Sequence, residues 1–273
     1  MYEGYSISEE ERVLQLEALR SIEPNLGDLK VKRLLEEFRA IPPSVETFKR
    51  VVSLWEGGLC LTKSFSVEVA KYLVANRKLK PAAEAEETGS GFTKVFFSVI
   101  FNKGYGPIAV SLKPRVIHSR SISGAILDHA STYVRDQMKM SNIYDEDKVM
   151  EQYRLNYDQL KTLFTYYMAS MIDWPPEQSY PHHHYDEKLR FLTFDTYMDS
   201  LDLDDVETIF IKRSQLDDKV FEDITKRAVE SGIAVATVIA PHGDYASEHA
   251  ISDHLAKRCG LNERERKAIE YIA

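Results

Sequence analysis

The sequence predicts an α+β protein, with a mainly helical N-terminal half that carries a β-hairpin and a small C-terminal α/β module. Three observations point there. Apolar residues recur at helical spacing through residues 1–80, a β-branched and aromatic run precedes the turn cluster 102–107, and strand-like and helix-like stretches alternate after residue 186. These set the expected divisions: a helical bundle over 1–80, a β-hairpin plus two long helices over 89–172 that can join the bundle, and an α/β module over 186–273.

The bundle is read from its caps. Ser8 and Glu11 have capping-box spacing, and Val13, Leu16 or Leu19, and Ile22 follow as an apolar face until Pro24. A second helix is expected over 28–40, with Leu34, Leu35 and Phe38 inward. Ser44 caps a third, in which Val45, Phe48, Val51, Val52 and Trp55 share a face before Gly57 and Gly58 end it. After a short loop, a fourth runs over 66–77. Residues 79–91 have the Pro, Ala, Glu and Gly content of an exposed connection.

Residues 92–101 and 108–112 then read as two strands of a hairpin closed by Asn102 to Pro107. Two helices follow. The second is expected over 145–172, where Asp145, Glu146 and Asp147 suit a helix start and Val149, Tyr153, Tyr157, Leu160, Phe164, Tyr167 and Met171 form one stripe. That stripe predicts a central core helix, with oligomer formation through it as the alternative. Trp174 and the two prolines after it end the helix.

Toward the C-terminus, 189–194 and 206–212 read as strands, Asp217 caps a helix ending near Gly232, and 233–240 is a further strand. Strand, helix and strand in that order imply a parallel pair with a right-handed crossover. Two helices close the chain, the first ending at Gly260 and the second capped by Asn262 with Glu265 three residues on.

Composition narrows the class. With 273 residues, 44% of them hydrophobic, the chain can bury a sizeable core. Residues 1–12 lack an apolar signal-like region and no apolar run is long enough to span a bilayer, so a soluble cytoplasmic chain is expected. A net charge of −8 excludes a surface that is basic throughout and leaves room for a local basic site. Cys60 and Cys259 stand alone, without CxxC or Cys/His spacing, and read as small core hydrophobes.

One local site stands out. Residues 88–127 contain neither Asp nor Glu, yet they carry Lys94, Lys103, Lys113, Arg115 and Arg120, with His118 between the two arginines. If a helix begins near Ser123, its free N–H groups would join Lys103, Lys113, Arg115, His118 and Arg120 as an anion site on the hairpin. The expected function is therefore a binding or regulatory protein that engages nucleic acid, another phosphate-bearing ligand or an acidic partner. The competing structural reading is that this basic segment packs against acidic residues of its own chain.

The alternative is a metal-assisted hydrolase. Ligands of parallel α/β sheets collect at the C-terminal strand ends, where Asp195, Lys212, Arg213, Ser214, His242 and Asp244 are expected. Asp195, His242 and Asp244 would be the catalytic candidates, and His242, Asp244, His249 and Asp253 the candidate ligands of a divalent metal, His249 and Asp253 sharing a helix face at i and i+4. The same residues suit helix caps and surface ion pairs. His182, His183 and His184 are consecutive in an expected linker, where three neighbouring side chains do not converge on one ion. A structural assembly protein is the third reading. No P-loop, dinucleotide fingerprint, nucleophile elbow or HExxH motif occurs.

Overall fold

The computed structural model of the chain describes residues 8–37, 41–81, 94–100, 106–125, 153–174, 194–212, 216–238 and 243–272, with the side chains of 243–248 left out. Its helices in chain order are α1 (Glu9–Ile22), α2 (Leu29–Glu37), α3 (Val45–Gly57), α4 (Val67–Asn76), α5 (Tyr157–Asp173), α6 (Asp218–Glu230), α7 (Gly243–Arg258) and α8 (Glu263–Ile272). Its strands are β1 (Leu61–Phe65), β2 (Lys78–Leu79), β3 (Val95–Val99), β4 (Ile108–Leu112), β5 (Ser123–Ala125), β6 (Arg154–Leu155), β7 (Asp195–Met198), β8 (Leu201–Asp202), β9 (Val206–Lys212) and β10 (Ala234–Val238). The fold is mixed α/β, and most strands lie in one large mixed sheet. Among the described residues no helix is long and apolar enough to cross a membrane.

The chain forms two compact units, one made of Met1–Glu56 with Ala125–Phe194 and Ile272, the other of Gly57–Gly124 with Asp195–Tyr271. In the first, the Ser8 hydroxyl accepts from the Glu11 amide at 3.2 Å and the Glu11 carboxylate accepts from the Ser8 amide at 3.0 Å, the reciprocal cap that starts α1. Such a cap contributes about 1 kcal/mol. The inward face of α1 is narrower than its spacing predicts: Leu19 is buried, while Val13 is 44% exposed. Helix α2 buries Val31, Leu34 and Leu35, and α3 buries Phe48, Val51, Leu54 and Trp55.

Helix α5 corrects the expected span of 145–172. It begins at Tyr157, where Asn156 and Gln159 form a second capping box, and Arg154–Leu155 just before it is the strand β6. Residues 145–152 lie outside the described residues. From Leu160 to Met171 almost every side chain of α5 is buried, including Thr162, Thr165 and Ser170. This is an enclosed core helix, and its apolar stripe is spent inside the chain. Trp55 packs on Phe164 at 5.2 Å between ring centroids, and Phe164 packs on Phe194 at 5.7 Å.

The second unit is built on the sheet, whose strands run in the order β10-β9-β4-β1-β3-β7-β5. Two expectations change here. Residues 61–65, expected as a loop within a helical bundle, form β1, with Thr62 opposite Ser98 on β3 and opposite Ser111 on β4. The expected hairpin does not form: β3 and β4 each pair with β1, which lies between them. The physical reason is burial, because β1 is covered on both flanks and at both faces, with Leu61 and Phe65 nearly inaccessible.

Strands β9 and β10 are parallel and are joined by α6, which starts at Asp217 as its spacing predicts. Strand β9 also pairs antiparallel with β4. The C-terminal strands thus extend one continuous sheet with β1, β3 and β4.

Candidate functional site

The basic segment leaves β4 through a 3₁₀ helix, Pro114–His118, that Val116 and Ile117 anchor in the core. In a 3₁₀ helix residues three apart eclipse, so Arg115 and His118 share a face, and both are exposed, as is Arg120. The segment continues into strand β5, so no helix begins at Ser123, and residues 126–152 lie outside the described residues. Lys103 lies outside the described residues.

An acidic turn of the same unit faces these cations. Lys113 donates its amide to the Asp205 carbonyl at 2.8 Å and its ammonium to the Asp204 carbonyl at 2.6 Å. Arg115 pairs with the Asp205 carboxylate at 3.2 Å, Arg77 with Asp204 at 2.5 Å, Lys78 with Asp202 at 3.7 Å, and Lys94 with Asp199. Most of these side chains are well exposed, where an ion pair contributes about 0–1 kcal/mol and yields to competing ions.

The strand-end residues divide. Asp195 opens β7 instead of ending a strand. Along the order β7-β3-β1-β4-β9-β10 the antiparallel steps give β7 the same direction as β9 and β10. Asp195 therefore sits at the sheet edge where β9 and β10 begin, and five strand spacings separate β7 from β10, about 24 Å. It does not share an edge with the residues that follow β9 and β10. His242, like Arg213, Ser214 and His182 to His184, lies outside the described residues, and Asp244 is described only as backbone of α7.

His249 and Asp253 turn toward α8. His249 Nδ1 lies 3.6 Å from Glu270, and Asp253 accepts from Arg266 at 2.8 Å. His254 packs edge-on against Phe210 at 5.7 Å between ring centroids. Among the described residues no group of three or more His, Cys, Asp or Glu side chains is placed to hold a metal ion.

Lys63 lies half-buried at the centre of β1, with its ammonium 5.7 Å from the Phe65 ring centroid. Burial draws it down to about 8, partly opposed by the negative charge of Asp195. The unfolded chain, with the ordinary lysine value of about 10.4, then binds more protons than the folded one between about pH 8 and 10.4, so stability rises with pH across that window. At pH 7 the charged, partly desolvated ammonium is a net cost. Lys63→Met is therefore expected to be more stable than the parent at pH 7 by about 1–2 kcal/mol after allowance for partial exposure. The gap should shrink toward pH 10, and parallel urea titrations at the two pH values check it.

The two cysteines, read from sequence as separate core residues, meet in the second unit. Cys60 is fully buried immediately before β1, and its carbonyl accepts from the Ile100 amide at 2.9 Å. Cys259 follows the last residue of α7 and is partly exposed. Its Sγ donates to the Gly58 carbonyl at 3.5 Å, two residues before Cys60. Hydrogen bonding toward its thiolate from Cys60, helped by the neighbouring Arg258 guanidinium, draws the Cys259 thiol down to about 7 against the effect of burial. Donating to Cys259 and being buried push the Cys60 thiol up. Nothing local in the sequence announces the pair except the arginine next to Cys259.

No protein-family profile matches the chain, and no curated protein matches it.

Proposed function

We propose that this chain is a binding protein that takes a phosphate-bearing polyanion, such as nucleic acid, on the exposed segment 113–120. The observation that carries this reading is the pairing of Arg115 and His118 on one exposed face of a 3₁₀ helix whose other residues are anchored in the core, with Arg120 two positions on. A fixed cationic ridge loses little side-chain entropy on binding, and guanidinium groups match phosphate oxygens in a fork. The acidic turn at 199–205 is the built-in competitor: it holds Arg115 through Asp205 and keeps affinity low and sensitive to salt.

The same ion pairs favour a second reading, in which the basic segment only fastens the acidic turn to the sheet. The two readings differ in sign. Polyanion binding predicts that Arg115→Ala with Arg120→Ala weakens retention of a labelled single-stranded oligonucleotide at least ~10-fold at low salt and flattens its salt dependence by about one to two ions. Asp204→Asn with Asp205→Asn should tighten binding, because the competitor is gone. Fluorescence anisotropy reads both. Wild-type protein that ignores the oligonucleotide at low salt, or acidic-turn variants that lose stability without gaining affinity, would establish the fastening role instead.

A further inference from the structure

We propose that Cys60 and Cys259 are a peroxide-responsive thiol pair that closes reversibly into a disulfide, joining the entry of β1 to the end of α7. The inference is independent of polyanion binding and rests on the arrangement of the two sulfurs and their surroundings.

The pair is asymmetric in the way such chemistry requires. Cys259 is the accessible partner, at the end of a helix, while Cys60 is fully buried and fixed by the sheet hydrogen bond from Ile100. Cys259 Sγ donates to the carbonyl of Gly58 at 3.5 Å, two residues before Cys60, so the end of α7 already rests against the segment that carries Cys60 into β1, and each thiol acts on the other electrostatically. Positive charge is supplied on the spot by Arg258, held in place by Glu207 on β9, whose carboxylate accepts from its guanidinium. A thiolate on Cys259 accepts from the Cys60 thiol and amide, whereas the protonated form donates to the Gly58 carbonyl. With its proton held less tightly than in an ordinary thiol, Cys259 is about half ionised near pH 7, and the thiolate is the reactive form.

The chemistry balances with a hydroperoxide as the oxidant. The Cys259 thiolate attacks one peroxide oxygen, the O–O bond breaks, and hydroxide leaves and takes a proton as water when the oxidant is hydrogen peroxide. Cys259 is then a sulfenic acid. The Cys60 sulfur attacks the Cys259 sulfur, the S–O bond breaks, and the leaving hydroxide takes the Cys60 proton as a second water. Two thiols are oxidised to one disulfide and one peroxide is reduced to two waters. An external dithiol reverses the reaction by thiol–disulfide exchange.

The test uses the full chain and hydrogen peroxide. Brief exposure should remove both free thiols, leave the protein monomeric on a non-reducing gel, and yield a cross-linked peptide containing Cys60 and Cys259, all reversed by dithiothreitol. Cys60→Ser should stop at a sulfenic acid on Cys259, trapped by dimedone, and Cys259→Ser should leave Cys60 reduced. Alkylation of Cys259 by iodoacetamide in wild-type protein should reach half its maximal rate near pH 7, and at that pH it should run roughly 10-fold faster than in a peptide with an ordinary thiol. Two thiols still titratable after peroxide, a disulfide formed only between molecules, or Cys60 oxidised ahead of Cys259 would overturn the proposal. These readings come from wild-type protein and stand even if a variant fails to fold.

Discussion

Replacing Gly106 with alanine is expected to destabilise the second unit by about 3 kcal/mol or more, an overpacking cost at the upper end of the usual range. A Cβ at this position would lie 2.0 Å from the Phe65 carbonyl oxygen, 2.5 Å from its carbon and 3.0 Å from the Ser66 nitrogen. These are backbone atoms, so no side chain can swing aside to relieve the clash. The glycine stands just before β4, where Ile108 pairs with Phe65 at the end of β1. Making room means separating the two strands at the centre of the sheet or distorting the step from β1 into α4. Thermal unfolding should show a midpoint lower by roughly 6–12 °C, on the basis of about 2–4 °C per kcal/mol for chains of this size. A midpoint equal to that of the parent would mean that the strands do not approach this closely.

The second large effect belongs to the first unit. Phe164 is fully buried on α5 and its ring meets both Trp55 and Phe194. Phe164→Ala removes those contacts and leaves a cavity among residues anchored on separate elements, which restricts collapse. A loss of about 3–5 kcal/mol is expected, with Leu160→Ala, also fully buried, at about 2–5 kcal/mol. Urea unfolding measures the loss. Tryptophan emission supplies a local check, since Trp55 faces the new cavity and should shift toward the red. If both variants melt with the parent, α5 is not the core of this unit.

What was legible in the sequence is what neighbours decide. Ser8 with Glu11, Ser66, Asp217, and Asn262 with Glu265 each announce a helix start through bonds that reach three residues, and the corresponding helices begin there. Strand β9 is likewise plain over 206–212, because its run of β-branched and aromatic residues ends at the turn before Asp217. Failures come where the deciding partner is distant. Nothing within 61–65 reveals that residues 95–99 and 108–112 will enclose it, so β1 reads as a loop and its two partners read as each other's. The acidic cluster at 145–147 outweighed Asn156 and Gln159, which are the caps that α5 uses. For the candidate sites the same rule holds: the exposed cations of 113–120 are visible as a charge pattern, whereas the Cys60–Cys259 contact joins opposite ends of the second unit's sequence and leaves no local pattern.

The chain's route through its two units has a consequence for synthesis. The first unit draws on residues up to Phe194 and on Ile272, and the second begins at Gly57 but finishes only near Tyr271. As the chain leaves the ribosome, β1, β3 and β4 emerge and can pair, yet β7, β9 and β10, which complete the sheet on both flanks, arrive after the whole of 125–194 has been made. The half-built sheet must wait with two open edges, and open edges recruit strands from other chains. No single cut in the sequence releases either unit intact. Truncation after Phe194 is therefore expected to strand an edge-exposed, aggregation-prone intermediate, and the two units reach their final state as late products of one nearly complete polypeptide.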